Sequence, residues 1–552
     1  MEKNKRYIYL LLTLMIYAFA AEAQEHRFVV FFKDKANSPY SLEAPEAFLS
    51  ERAIQRRHKQ SIPVIPADLP VSPAYLDSLR EEGVAYYHKS KWFNGVLVQT
   101  DSATIAYLLT KPYVRGAVHV APGVKLTHPI ENTLDTGTKI SGNLYTSGAH
   151  VDYNNVTMEQ NELLDVPTMH SQGYRGEGII IAVLDGGFMG VDIHEPFQHL
   201  YNEKRIVATR NYVVNDDSVY QYSDHGTKAL STIAAVIPDK FIGTAPKASF
   251  ILSVTEDVDG EYQIEEYNWL FAAEFADSAG ADIVSTSLGY STFSDPSMNY
   301  TYEEMDGETS VITRAADIAA SKGMVMVTSA GNEGNKQWKY ISAPADGDSV
   351  LAVGALRSGH LSKTGFSSFG PSADGRIKPD VMALGEQVLT VNANGRVVRS
   401  NGTSFSAPLI SGLIAGFWQA NPDLTNMQVI DRIRKSGHRA LAPNNEVGYG
   451  LPNFTRAMNK TVLATFGSVP KSFRVFPNPV SNELVIEVKS NQVSDGLAVY
   501  LYSSTGKLLG HKEPKGYSQE IITFDFHNIL PGVYIINVVT ANTSEAVKVV
   551  KF

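Results

Sequence analysis

Hydrophobic and polar positions follow different rhythms along the chain and divide it into blocks. Between residues 26 and about 125 both periods occur. Residues 27–32 form an apolar run that predicts a strand, 47–57 predict a helix that becomes strongly basic at its end, 75–82 a second short helix, and 92–99 alternate as a strand does. Residues 126–150 are rich in Gly, Thr, Ser and Asn without periodicity, which reads as a linker. From about 155 to 457, short and continuously apolar runs (179–184, 250–254, 283–285, 324–329, 350–353) are separated by helical stretches such as 267–278 and 311–321. Strands without a polar face belong in a sheet covered on both sides, so this block predicts a doubly wound parallel α/β sheet. From 472 onward the runs 484–488, 497–502, 521–526, 533–539 and 546–550 are short strands at regular spacing, with Pro531-Gly532 among the turns, which predicts a β-sandwich.

The start of the chain has another character. Lys3, Lys5 and Arg6 precede an apolar run from Tyr7 to about Ala20, and Ala21-Glu22-Ala23 follows. That is the pattern of a cleaved secretory signal over residues 1–23, and the run is too short to span a bilayer comfortably. No later segment is long and apolar enough for a membrane crossing. The 552 residues carry a net charge of −10 without a basic run, which argues against a nucleic-acid surface. The absence of cysteine excludes disulfides, zinc–thiolate sites, a thiol nucleophile and a lipid-modified cysteine anchor.

Three segments in the α/β block carry candidate chemistry. The 179–184 run ends in Asp185, followed by Gly186-Gly187; Ser223-Asp224-His225-Gly226-Thr227 opens a helix running to about 235; Gly402-Thr403-Ser404-Phe405-Ser406-Ala407-Pro408 opens a long apolar helix. Open parallel sheets collect functional groups beyond the carboxyl ends of their strands. A serine hydroxyl becomes nucleophilic when a base takes its proton, histidine titrates near neutrality, and a carboxylate orients the imidazole and stabilises its charged form. The order Asp, His, Ser is one of three known for this constellation. On these motifs the chain resembles the subtilisin-like serine peptidases, or subtilases, over about residues 155–457.

The resemblance implies peptide-bond hydrolysis through an acyl-enzyme, with Asp185, His225 and Ser404 as triad. Ser329-Ala330-Gly331-Asn332-Glu333-Gly334 looks like the family's oxyanion-hole segment, with Asn332 and the Ser404 amide as donors. Ser287-Leu288-Gly289 looks like its substrate-pairing strand, and Ala330 and Gly331 are expected to help bind substrate, with a pocket wall near Ala330 and Ser342-Ala343-Pro344. Where the family usually has Ser or Thr after the aspartate, this chain has Gly186, which removes a supporting hydroxyl; backbone amides are the alternative support. That departure is also the one feature favouring a rival class, a non-catalytic binding scaffold. His194 and His199 stand five apart, not four as a helical zinc pair requires, with Pro196 opposing the helix, and Asp224 is expected to cap the His225 helix. No cofactor is implied for the chemistry. Structural calcium is common in the family, and Asp257-Val258-Asp259-Gly260 begins an ion-binding loop without completing it.

The flanking blocks complete the expected organisation: signal peptide 1–23, an inhibitory α+β propeptide 24–125 of βαββαβ pattern, a linker with the processing site 126–154, the peptidase domain 155–460, and the β-sandwich 472–552. Val475-Phe476-Pro477-Asn478-Pro479, Leu530-Pro531-Gly532-Val533-Tyr534 and the final Val549-Val550-Lys551-Phe552 resemble a type IX secretion sorting domain, which implies export to the cell surface or medium; a carbohydrate- or substrate-binding sandwich is the rival reading. The expected partners are protein or peptide substrates, the propeptide as intramolecular inhibitor, and the secretion machinery.

Overall fold

A computed structural model describes residues 24–126, 129–130, 158–458, 473–488, 497–503, 507–513, 521–539 and 544–551. The signal peptide, and all of the linker but Leu126, Pro129 and Ile130, lie outside these residues. The chain forms two compact units, Met1–Met458 and Asn459–Phe552.

In the first unit, seven strands form a fully parallel sheet in the order Val381–Leu384, Val350–Leu356, Val325–Ser329, Ile283–Thr286, Ile180–Asp185, Ser249–Val254, Ile206–Asn211. The five central runs expected from the sequence are strands, and nearly every residue in them is buried. The two edge strands were not expected: Ile206–Asn211 is only partly buried and carries Thr, Arg and Asn, so it lacks the apolar run that marks the others. Ile180–Asp185 and Ile283–Thr286 are neighbours from which the chain winds to opposite edges. Functional groups gather at such a switch point.

The central helix Thr403–Ala420 is buried from Thr403 to Trp418. It packs closely because small residues face its neighbours: a side chain at Gly412 would strike Thr244, and one at Gly416 would strike Met169. Helices Ile264–Ala279 and Val311–Ser321 cover the other face of the sheet.

Residues 26–122 form a four-stranded antiparallel sheet in the order Tyr86–Ser90, Gly95–Thr100, His26–Phe32, Val114–Pro122. In the first strand Phe28, Val30 and Phe32 join one core with Leu76, Leu79, Ile105 and Leu108, while Val29 joins the core containing helix Ile264–Ala279. The run is apolar throughout because both faces are covered. The helix expected over 47–57 is broken. A short turn of 3-10 helix covers Pro45–Ala47, and Ser50 accepts from the Ala53 amide to start the helix at Glu51–Lys59.

That basic helix docks on the carboxyl end of Ile264–Ala279. Arg56 donates to Asp277 at 2.5 Å and to the Ala281 carbonyl, and Arg57 donates to Asp277 at 2.8 Å. Arg52 bonds the Gly280 carbonyl and Asp282, and Lys91 reaches Asp277 at 3.3 Å. Cations suit a helix carboxyl end, where unpaired carbonyls carry partial negative charge. Burial would push the Asp277 carboxyl up, but Arg57, Lys91 and Arg56 hold it well below the usual range.

The second unit contains the sheets Phe473–Phe476, Glu483–Val488, Ile521–Asp525 and Leu508–Lys512, Ala498–Ser503, Gly532–Val539, Ser544–Lys551. Inward residues of both, among them Leu484, Ile486, Val499, Ile522, Phe524, Ile536 and Val549, share one core, as in a sandwich. The Pro477-Asn478-Pro479 motif has a clear structural use. The Asn478 side chain donates to Lys548 O at 2.8 Å and accepts from Val550 N at 2.9 Å, clipping the last strand.

Candidate active site

The sheet brings the candidate residues to one edge. Asp185 ends its strand, His225 opens helix His225–Ala234, Ser287 follows strand Ile283–Thr286, Asn332 follows strand Val325–Ser329, and Ser404 lies in the first turn of the central helix.

Asp185 and His225 meet directly. His225 Nδ1 lies 2.8 and 3.0 Å from the two Asp185 carboxylate oxygens. The close approach depends on Gly226, where a Cβ would lie 2.9 Å from that of Asp185. The Asp185 side chain is 1% exposed and that of His225 37%. The Asp185 charge raises the His225 pKa above 6.5, against burial, which lowers it. The Gly186 amide donates to Asp185 Oδ1 at 2.7 Å, supplying a backbone donor in place of the missing side-chain hydroxyl.

Ser404 is held by its own helix. Pro408 has no amide hydrogen, so the Ser404 carbonyl lacks its intrahelical donor. Ser287 Oγ replaces it, donating to Ser404 O at 2.7 Å. Gly402 has φ 149°, a conformation that favours glycine, and this sets the turn into the helix. The Ser404 hydroxyl makes a long 3.4 Å contact with Ser287 O. Phe405, the next residue, packs its ring 5.7 Å from the His225 ring, so imidazole and helix start are neighbours. No Ser404 Oγ–His225 hydrogen bond is among those formed, and such bonds commonly tighten only when substrate binds.

Asn332 has a determined orientation. The Thr403 amide, which can only donate, meets Asn332 Oδ1 at 3.0 Å, and Thr403 Oγ1 meets it at 3.1 Å. The oxygen is therefore committed to Thr403, and the NH2 group is the end left for a ligand. Asn332 and Ser404 line one cavity of about 510 Å³ together with Ser287, Leu288, Gly289 and Gly331. Ala330, also expected there, is fully buried with Ile341, Ala345 and Ala352 and does not line the cavity. Ser342 does, while Ala343 is buried. Thr403 and Glu333 lie inside the sequence motifs without a role of their own there, while Glu261 and Lys336 line the cavity and were not anticipated, because nothing in their local pattern distinguishes them from loop charges.

Two expectations need correction. Asp224 occupies the cap position, but its side chain pairs with Lys228 at 2.8 Å, and Ser223 Oγ takes the His225 amide. Pro196 begins helix Glu195–Asn202 instead of opposing it, since its first turn needs no proline amide. In the 257–260 run, Asp257 and Asp259 both bind Lys125 of the N-terminal domain. Next to it, carboxylate oxygens of Glu256, Glu261 and Glu265 lie within 4.8 Å of one another, a spacing a hard cation could use. Glu265 already accepts from the Asp257 and Tyr262 amides, and Glu256 from Tyr290 and Thr255. Burial pushes all three above the ordinary carboxylate range.

A model of the subtilase family matches residues 176–450, one of the peptidase S8 propeptide domain of Bacteroidota matches 27–134, and one of a secretion-system C-terminal sorting domain matches 474–551. Subtilisin from Bacillus pumilus is 30% identical over 298 residues, covering 53% of this chain and 96% of the relative. Subtilisin NAT from Bacillus subtilis subsp. natto is 31% identical over 277 residues, 50% of this chain; like Subtilisin E from Bacillus subtilis, it is covered over only 64% of its length. MycP1 from Mycobacterium smegmatis is a solved structure with TM-score 0.43 and 21% identity, covering 56% of this chain and 89% of that one.

Proposed function

Because the chain belongs to the subtilase family, we propose that it is a secreted serine endopeptidase made as a zymogen. Ser404 attacks the peptide carbonyl, His225 takes its proton and returns it to the leaving amine, and Asp185 holds the imidazole in register. Asn332 Nδ2 and the Ser404 amide, at the positive end of the central helix, receive the oxyanion. Ser287-Leu288-Gly289 pairs with the extended substrate backbone. The observation that carries the reading is the Asp185–His225 pair beside a cavity that contains both Ser404 and an Asn332 amide with its oxygen already occupied.

The N-terminal domain acts as intramolecular inhibitor, and the terminal sandwich addresses the chain to the secretion machinery. Processing falls within 126–154. The chemistry requires no cofactor. Ser404→Ala should abolish propeptide release, casein hydrolysis and labelling by a fluorophosphonate; processing that continued in the purified variant would remove Ser404 from the mechanism.

A further inference from the structure

We propose that the acidic loop at 257–261 selects a lysine or arginine on the N-terminal side of the scissile bond. The propeptide's own Lys125-Leu126 is its first occupant. This rests on the peptidase reading and names the substrate class of that site.

Lys125 Nζ bonds Asp257, whose side chain is largely buried, and Asp259 at 3.0 Å. Gln99 Oε1 accepts from the Lys125 amide at 2.9 Å and the Leu126 amide at 3.1 Å, so the pair is fixed over the loop. Leu126 is buried in the apolar cluster that holds Ile264, Leu288, Tyr290 and Phe293. A second propeptide cation, Arg27, lies near Asp257 and Glu265. Burial lowers its pKa, Asp257 and Glu265 oppose that, and its Nε has no partner. Among the described residues, no Lys or Arg of the peptidase domain pairs with Asp257, Asp259 or Glu261. The counter-charges are therefore borrowed from a segment that leaves.

Glu261 lines the cavity that contains Ser404, so loop and nucleophile share one cleft. Lys125 precedes the processing segment and thus sits on the acyl side of any cut made there. Once the propeptide departs, the largely buried Asp257 and the exposed Asp259 lose their lysine, and Asp257 keeps only the Asp259 amide. A cationic side chain restores charge-assisted hydrogen bonds, and an acidic one meets like charge.

The test uses processed enzyme purified from full-length chain and internally quenched peptides that differ at one position N-terminal to the cut. At one such position, kcat/KM for Lys or Arg should exceed that for Glu by about 10-fold, and added salt should shrink the ratio. In an Asp257→Asn/Asp259→Asn variant, which keeps an oxygen to accept the Asp259 amide, the ratio should fall to about 1. Equal kcat/KM for the Lys and Glu peptides in the parent enzyme, or a ratio unchanged in the variant, overturns the proposal while fluorophosphonate labelling of Ser404 leaves the peptidase reading standing. Absence of both labelling and cleavage overturns both.

Discussion

The Asp185 carboxylate decides the protonation of His225. It raises the imidazole pKa above 6.5, and the base must be neutral to take a proton from Ser404. Activity therefore appears as pH rises: kcat/KM should climb through a midpoint above 6.5. Asp185→Asn should lower that midpoint and cost about 10⁴-fold in kcat, both read from pH–rate profiles. Asn332 depends in turn on Thr403. Asn332→Leu should cost about 10²–10³-fold in kcat, as does loss of an oxyanion donor in a subtilisin. Thr403→Val, which keeps the amide bond and removes the hydroxyl, should cost less and leave KM nearly unchanged. Gly186 lies where an added Cβ would meet its nearest neighbour, Glu256, at an ordinary 3.5 Å. Room for Ser or Thr exists there.

At the scale of elements, the propeptide sheet and helix Ile264–Ala279 share two titratable groups with opposing effects. His88 is buried between Tyr212 and Phe271, with Nε2 3.0 Å from Tyr212 O, and burial pushes its pKa down to about 3. Glu274 takes donors from the propeptide's Ser90, Lys91 and Trp92, and burial pushes it up to about 7. As pH falls from 6.5 toward 3, released His88 gains a proton that the bound form refuses, so the complex loosens. As pH rises from 4.5 to 7, released Glu274 loses a proton that the bound form keeps, so the complex again loosens. Between 4.5 and 6.5 the two slopes cancel. Co-elution of cut propeptide with processed enzyme should be nearly flat across that window in the parent. Glu274→Gln should loosen, and His88→Gln tighten, by about 10-fold per pH unit of acidification. Parallel behaviour of both variants would refute the assignment.

On the scale of the whole molecule, a peptidase unit is followed by a separately folded sandwich. A chain ending at Met458 should still label with fluorophosphonate in lysate but fail to reach the medium, as cell fractionation would show. Much of this organisation was legible in one dimension. Continuous apolar runs marked strands covered on two faces, short runs at regular spacing between turns marked the sandwich, and Asp185, His225, Asn332 and Ser404 stood out because strand ends and helix starts are local events that local residues specify. What chain order leaves open is which distant groups meet. Thr403 turning the Asn332 amide, Ser287 replacing the donor lost at Pro408, Ala330 withdrawing into a core, and Lys125 seated on Asp257 all follow from packing between segments far apart in sequence. Hydrogen-bond partners at that range are chosen by the folded geometry, since a polar side chain shows its chemistry in the sequence but not the atom it will face.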